Sequence, residues 1–113
     1  MQPDQKVPFS QAQFYFKSSD FKSAYQALLP YALEGNSIAQ LEIGFLTEFG
    51  LGVKNNTQAA ALWYFIAAKP NAYNEHAFAW GVDYYFGLAG KEQDMDKAAL
   101  WFRMAAELSN DRY

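Results

Sequence analysis

Residues 44–68 read GFLTEFGLGVKNNTQAAALWYFIAA, and the same pattern returns at residues 81–106 as GVDYYFGLAGKEQDMDKAALWFRMAA. Gly44 recurs as Gly81, Gly50 as Gly87, Ala60 as Ala98, Trp63-Tyr64 as Trp101-Phe102, and Ala67-Ala68 as Ala105-Ala106. The offset is 37 residues before the loop and 38 after it, which places one extra residue between Gly87 and Asp94. A surface connection absorbs such an insertion at little cost, because loop-closure entropy grows only slowly with length. The repeating unit is therefore a pair of elements joined by a glycine-containing loop.

Both elements read as helices. Apolar side chains at 38, 41, 45 and 49, and again at 39, 43 and 46, give Ser37 to Phe49 two apolar helical faces. Gly50-Leu51-Gly52 ends this helix, since glycine accepts the left-handed geometry that reverses the chain. Asn56 then fits an N-cap, and Ala60, Trp63, Tyr64, Ala67 and Ala68 form one stripe before Pro70 closes the unit. The second copy predicts a helix over Glu75–Phe86, a loop through Gly87 and Gly90, Asp94 as N-cap and a helix to about Leu108. Ahead of both, Phe9–Ser18 and Phe21–Glu34 read as a further pair, with Asp20 as cap and Gly35 as terminator. Pro30 inside that second helix predicts a kink or frayed turn.

The motif Gly35-x-x-x-Ala39-Gln40-x-x-Ile43-Gly44, followed by Gly50-x-Gly52-Val53, Ala60, Trp63-Tyr64 and Ala67-Ala68, resembles the Sel-one-like repeat family, a relative of the tetratricopeptide repeats. The second copy matches through Gly81, Tyr84, Gly87, Asp94, Lys97-Ala98, Trp101-Phe102 and Ala105-Ala106. It departs at His76, which stands where a small alanine is expected, and at Ala89-Gly90, which replaces Gly-x-Gly-Val. The first pair looks more like a tetratricopeptide unit, through Ala12, Tyr15, Asp20-Phe21 and Ala24. The resemblance implies an all-α, right-handed superhelix of about three helix pairs, with units near 8–35, 36–73 and 74–113. It also implies a scaffold, adaptor or inhibitor that binds protein or peptide, and it names no partner.

In solenoids of paired helices, the leading helix of each unit lines the concave face. Projected from Ala12, Gly44 and Gly81, the residues facing a partner are Phe9, Phe16 and Lys17, then Leu41, Phe45, Glu48 and Phe49, then Phe78, Val82, Tyr85 and Phe86. Rigid aromatic anchors suit an amphipathic helix or an extended peptide, with Lys17 and Glu48 as polar rim. The same rings could instead pack on one another as core; periodicity does not measure the curvature that separates these readings. Met95, Ala99, Leu100, Met104 and Leu108 fall off the stripe of the last helix, predicting an open end. A second copy, a partner or the Asp111-Arg112-Tyr113 tail could cover it.

Other chemistries find little support. The chain has no cysteine, which removes disulfides, thiolate nucleophiles and sulfur-based zinc sites. Its net charge of -3 and scattered basic residues argue against nucleic acid. His76 is the one histidine, and with Glu75 and Asp83 alone it supplies neither a nucleophile nor a zinc set, so a hydrolase is a remote alternative. Asp94 and Asp96 are better explained by capping and the helix dipole than by a divalent metal. The Gly50-Leu51-Gly52 loop lacks the preceding strand and the Lys-Ser/Thr sequel of a phosphate cradle. The expectation is a non-enzyme without cofactor or metal. Met1–Ser10 is polar and broken by Pro3 and Pro8, so it does not read as a secretory signal, and no stretch is apolar enough to insert in a membrane. A bacterial origin and the cytoplasm are the default expectations, or the periplasm or cell exterior if a leader was removed.

Overall fold

The computed structural model describes residues 6–110, and among them every regular element is a helix. The order is α1 (Phe9–Lys17), α2 (Phe21–Leu33), α3 (Ser37–Phe49), α4 (Thr57–Ala67), α5 (Glu75–Phe86) and α6 (Met95–Ser109). The expected caps explain several boundaries. Asn56 accepts a hydrogen bond from the Ala59 N–H and Asp94 from the Lys97 N–H, each satisfying an orphan donor of a first turn. Asn36 does the same for α3 through Ala39. Asp20 precedes α2 as expected, but its side chain makes no cap bond. Gly50 and Gly87 end α3 and α5 in the left-handed conformation. Pro30 does not stop α2, which continues to Leu33; so near the C-terminus, the missing donor costs the helix only one late bond.

Two cores result. Ala12, Ala24, Leu28, Ala32, Ala39, Ile43 and Leu46 fill the space among α1, α2 and α3, with Trp63 packed against its edge. Ala60, Ala61, Tyr64, Ala67, Ala98, Ala99, Phe102, Ala105 and Ala106 fill the second, with Trp101 at its edge. Tyr64 and Phe102 are repeat equivalents, and both are almost fully enclosed. Each lies against the glycine of its own leading helix, Gly44 or Gly81, where a side chain would collide.

The two junctions between pairs differ. At the first, α3 packs along α2; at the second, α4 and α5 each pack along α6 and meet one another through side chains such as Phe65 and Phe78. The connections supply a physical reason. Only Glu34–Asn36 separates α2 from α3, which holds them together, whereas residues 68–74, with Pro70, carry the chain past α4 before α5 begins. Asn74 fixes that longer turn. It is fully buried, accepts from the Asn71 N–H at 2.7 Å, and donates to the carbonyls of Lys69 and Ala105, each at 3.0 Å. The second junction brings α6 against α3 as well, where Ser37 Oγ donates to Asn110 Oδ1 at 2.9 Å.

Candidate functional site

The proposed contact residues come to lie in two places, because α6 intervenes between the leading helices α3 and α5. On the α1/α3 side, Phe9 is half-buried edge-on to Tyr31, with ring centroids 5.0 Å apart. Phe16 meets Phe45 at 6.0 Å, and Phe45 meets Phe49 at 4.9 Å. Phe49 is 49% exposed. Leu41 is a core residue, only 4% exposed, and presents just an edge to the surface.

Phe16, Leu41 and Phe45 wall a hollow of about 200 Å³ that Glu42, Arg103 and Glu107 complete. Behind it, Tyr64 Oη donates to Glu48 Oε1 at 2.7 Å, and the same oxygen lies 3.6 Å from Arg103 Nε. Burial, together with hydrogen bonding to the Glu48 carboxylate, pushes the Tyr64 phenol far above the usual tyrosine range. The Arg103 guanidinium lies 5.5 Å from the centre of the Phe49 ring. Glu48, expected on a polar rim, is thus largely enclosed, and α3, α4 and α6 meet at one polar cluster. Lys17 is exposed, as a rim residue should be.

On the other side, Phe78 is half-buried against Phe65 and Phe102, at 5.2 and 5.7 Å, and Val82 packs on the second core. Tyr85 meets Phe86 edge to face at 4.9 Å and accepts a hydrogen bond from Gln58 Nε2. Phe86 is exposed. Tyr85 and Phe86 share an apolar hollow of about 140 Å³ with Leu62, Phe65 and Phe102. The expected row is therefore not one continuous groove.

Six lining residues were absent from the expected set, namely Glu42 on α3, Leu62 and Phe65 on α4, and Phe102, Arg103 and Glu107 on α6. All but Glu42 belong to trailing helices, which the leading-helix projection leaves out. A local signal did exist for one: Arg103 is the sole arginine among the described residues and directly follows Phe102 of the conserved repeat pattern within this chain.

Of the open-end residues, Leu100, Met104 and Leu108 are exposed, Met95 is half-buried, and Ala99 is fully buried, since it faces α4. Asp111-Arg112-Tyr113 lies outside the described residues. His76 is exposed, and Asp83 is bonded to Lys91 Nζ at 3.2 Å. Among the described residues no three metal-ligating side chains gather, and no helix is long and apolar enough to cross a membrane. Trp80 is 42% exposed, with its ring against Trp101 and under Lys91 Nζ.

The Sel1 repeat family matches residues 37–69 and 74–110, which hold α3–α4 and α5–α6. Protein sel-1 homolog 2 from Rattus norvegicus is 34% identical over 82 residues, covering 73% of this chain and 12% of that protein. The Homo sapiens protein of the same name is also 34% identical, and the Mus musculus one 33%, over the same coverage. The chain thus spans 12% of the length of the curated relatives it matches. No solved structure matches. Sel1 repeats generally mediate protein–protein interactions. Two tandem matches covering more than half of the chain, on helix pairs that repeat the same glycine-to-ring contact, establish that it belongs to the Sel1 repeat family.

Proposed function

We propose that this chain is a non-enzymatic protein-binding module that takes a segment of a partner across the surface built by α1, α3 and α6, with Phe16, Phe45 and Phe49 as anchors and Phe9 at the margin. The carrying observation is that Phe49 stays half exposed against Phe45, which together with Phe16 walls an open hollow. Rings held by their neighbours lose few rotamers when a partner covers them, so their burial goes largely into affinity. Phe78, Val82, Tyr85 and Phe86 belong to the second hollow and would extend the contact only for a partner that reaches around α6.

The test is a selection of random peptides on the wild-type chain, followed by rebinding to a Phe45→Ala/Phe49→Ala double variant and to Leu33→Ala, a control exposed elsewhere on α2. Selected peptides are expected to keep binding the control and to lose the double variant by at least ~30-fold, from roughly 2 kcal/mol or more for a good anchor pair. Undiminished binding to a double variant with native helicity would remove this surface from consideration.

A second reading, self-association through α6, is favoured by the exposed stripe of Leu100, Met104 and Leu108 at successive helical turns. Sedimentation separates the two: a monomer at millimolar concentration excludes it, whereas a dimer dispersed by Met104→Lys supports it.

A further inference from the structure

We infer that Arg103 is a positioning residue of the docking surface, holding the Phe49 ring in place for the partner segment through an enclosed polar chain that the second unit lacks. This deepens the proposed function and rests on it for the surface. Phe49 needs such a hold. It is the last residue of α3, just before the left-handed Gly50, and half of it stands in solvent. Phe45 supports the ring from its own helix, with centroids 4.9 Å apart. A side chain so placed has more than one staggered rotamer open to it, and a partner that covers it must order it.

Arg103 supplies a second contact from α6, with its guanidinium over the Phe49 ring, 5.5 Å from the centre, where the quadrupole attracts a cation. The guanidinium is itself fixed from behind. Its Nε makes no hydrogen bond, so its tie is the ion pair with Glu48 Oε1 at 3.6 Å. Both side chains are largely enclosed, which limits the screening that weakens exposed pairs. The same Glu48 oxygen accepts from Tyr64 Oη at 2.7 Å, and the Tyr64 ring is wedged against Gly44 in the core. A surface ring on α3 is thus tied through α6 and α3 to a core ring on α4.

The second unit provides a comparison inside the same chain. There Tyr85 stands in the place of Glu48 and Phe102 in that of Tyr64, so the carboxylate and the hydroxyl are missing together. Phe86, which stands in the place of Phe49, is 63% exposed against 49%. Arg103 falls where the first unit has Phe65, so the cation is no part of the repeated pattern either. Repeat packing is achieved in both units, with and without these polar groups. Their presence coincides instead with the ring that borders the α1/α3/α6 hollow, and Arg103 also lines that hollow.

The experiment begins with the full chain alone, isotope-labelled for NMR, and reads the χ1 rotamers of Phe49 from the couplings of its Cγ to the backbone N and C′. One dominant rotamer is expected in the wild type. Averaging is expected in Arg103→Met, which keeps the aliphatic stem, and in Glu48→Gln, which keeps an acceptor for Tyr64 but loses the charge. Arg103→Lys is expected to restore part of the single rotamer, and Phe86 to be indifferent to all three. Peptides selected on the wild-type chain then measure the consequence. Arg103→Met is expected to weaken those that need Phe45 and Phe49 by ~3- to 10-fold, the effect of one more side chain to be ordered on binding. In a Phe49→Leu background, which keeps an apolar anchor and no ring, it is expected to change nothing further. A Phe49 rotamer unmoved by Glu48→Gln and Arg103→Met, or Arg103→Lys behaving as Arg103→Met, overturns the inference. So does equal weakening in the Phe49→Leu background, which would make Arg103 a direct contact of the partner. Glu48→Gln is nearly isosteric and decides the matter if Arg103→Met loses native helicity. Peptides that need Phe45 and Phe49 yet ignore Arg103→Met leave the docking surface standing and remove this role alone; a selection that shows no such need removes both.

Discussion

A Cβ placed on Gly81 would lie 2.4 Å from Cδ1 of Phe102, closer than real side-chain carbons approach. Gly44 stands in the same relation to Tyr64, at 2.7 Å from Cε1. The trailing helix of each unit drives a ring flat against the backbone of the leading helix, and glycine is what permits that approach. Alanine at either position gains about 1 kcal/mol of helix propensity and incurs roughly 1–3 kcal/mol of overpacking. Phe102 is wedged among Phe65, Phe78 and Tyr85, so it has little room to yield. Gly81→Ala is therefore expected to lower the thermal midpoint, and Phe102→Leu added to it to recover part of the loss. A midpoint unchanged or raised by Gly81→Ala would show that the ring moves freely.

Although their contact was not, the recurrence of Gly44 and Tyr64 as Gly81 and Phe102 was legible in the chain, at offsets of 37 and 38 residues on either side of the loop. So were the caps at Asn56 and Asp94, which depend only on neighbouring residues. The second junction was not legible. Periodicity says which face of α4 is apolar, and Ala60, Tyr64 and Ala67 look the same whether α5 or α6 covers them. That choice rests on the length of the 68–74 turn and on the bonds of Asn74, both tertiary matters. The site inherits the limit: Phe49 and Phe86 could be picked out as large rings at helix ends, but Arg103 and Glu107 reach the hollow only because α6 swings across α3.

Asn74 carries the departure from regular stacking, and its removal should be costly. Its amide nitrogen serves Lys69 and Ala105 and its oxygen serves Asn71, and the bond to Ala105 is buried. Asn74→Ala strands the Ala105 carbonyl and loses two part-buried bonds that water can replace, a loss of about 1–3 kcal/mol when each lost bond or unsatisfied group counts for ~1 kcal/mol. Asn74→Asp keeps the acceptor and loses both donors, so it should fare no better. Urea denaturation measures the total, and hydrogen exchange locates it: α5 is expected to lose protection before α1–α3. Uniform loss across all six helices would deny Asn74 this local role.

Stability should also fall in alkali through Tyr64. Its phenol is raised in the folded chain by burial first and by the bond to Glu48 second, whereas the unfolded chain releases the proton near pH 10. Above that pH the unfolded state binds fewer protons than the folded one, so unfolding becomes easier by up to ~1.4 kcal/mol per pH unit. The contribution is fully present below pH 10 and declines as pH rises past it. Tyr64→Phe removes that titration and with it this share of the slope. The check is the unfolding free energy of both proteins between about pH 9 and 11; parallel curves would mean that Tyr64 ionises in the folded state as freely as in the unfolded chain.

Ala89 occupies the place that Gly52 holds in the first copy, and it has the left-handed backbone to match, with φ of 55° against 74° for Gly52. A residue with a Cβ is strained there by roughly 1–2 kcal/mol. Replacing it with glycine relieves that strain but widens the unfolded ensemble, at an offset of about 0.4–1 kcal/mol. The strain is the larger quantity, and Ala89 is exposed, so no packing is lost with its methyl group. Ala89→Gly is thus expected to stabilise the chain by ~0.5–1 kcal/mol, read as a higher urea midpoint at unchanged slope. Gly52→Ala runs the comparison the other way: a Cβ there would meet the Phe21 carbonyl carbon at 2.4 Å as well as the positive φ. It should destabilise by more than Ala89→Gly gains. Equal and opposite shifts would mean that backbone conformation alone decides both sites, and a loss from Ala89→Gly would mean that the loop is held in its left-handed form without strain.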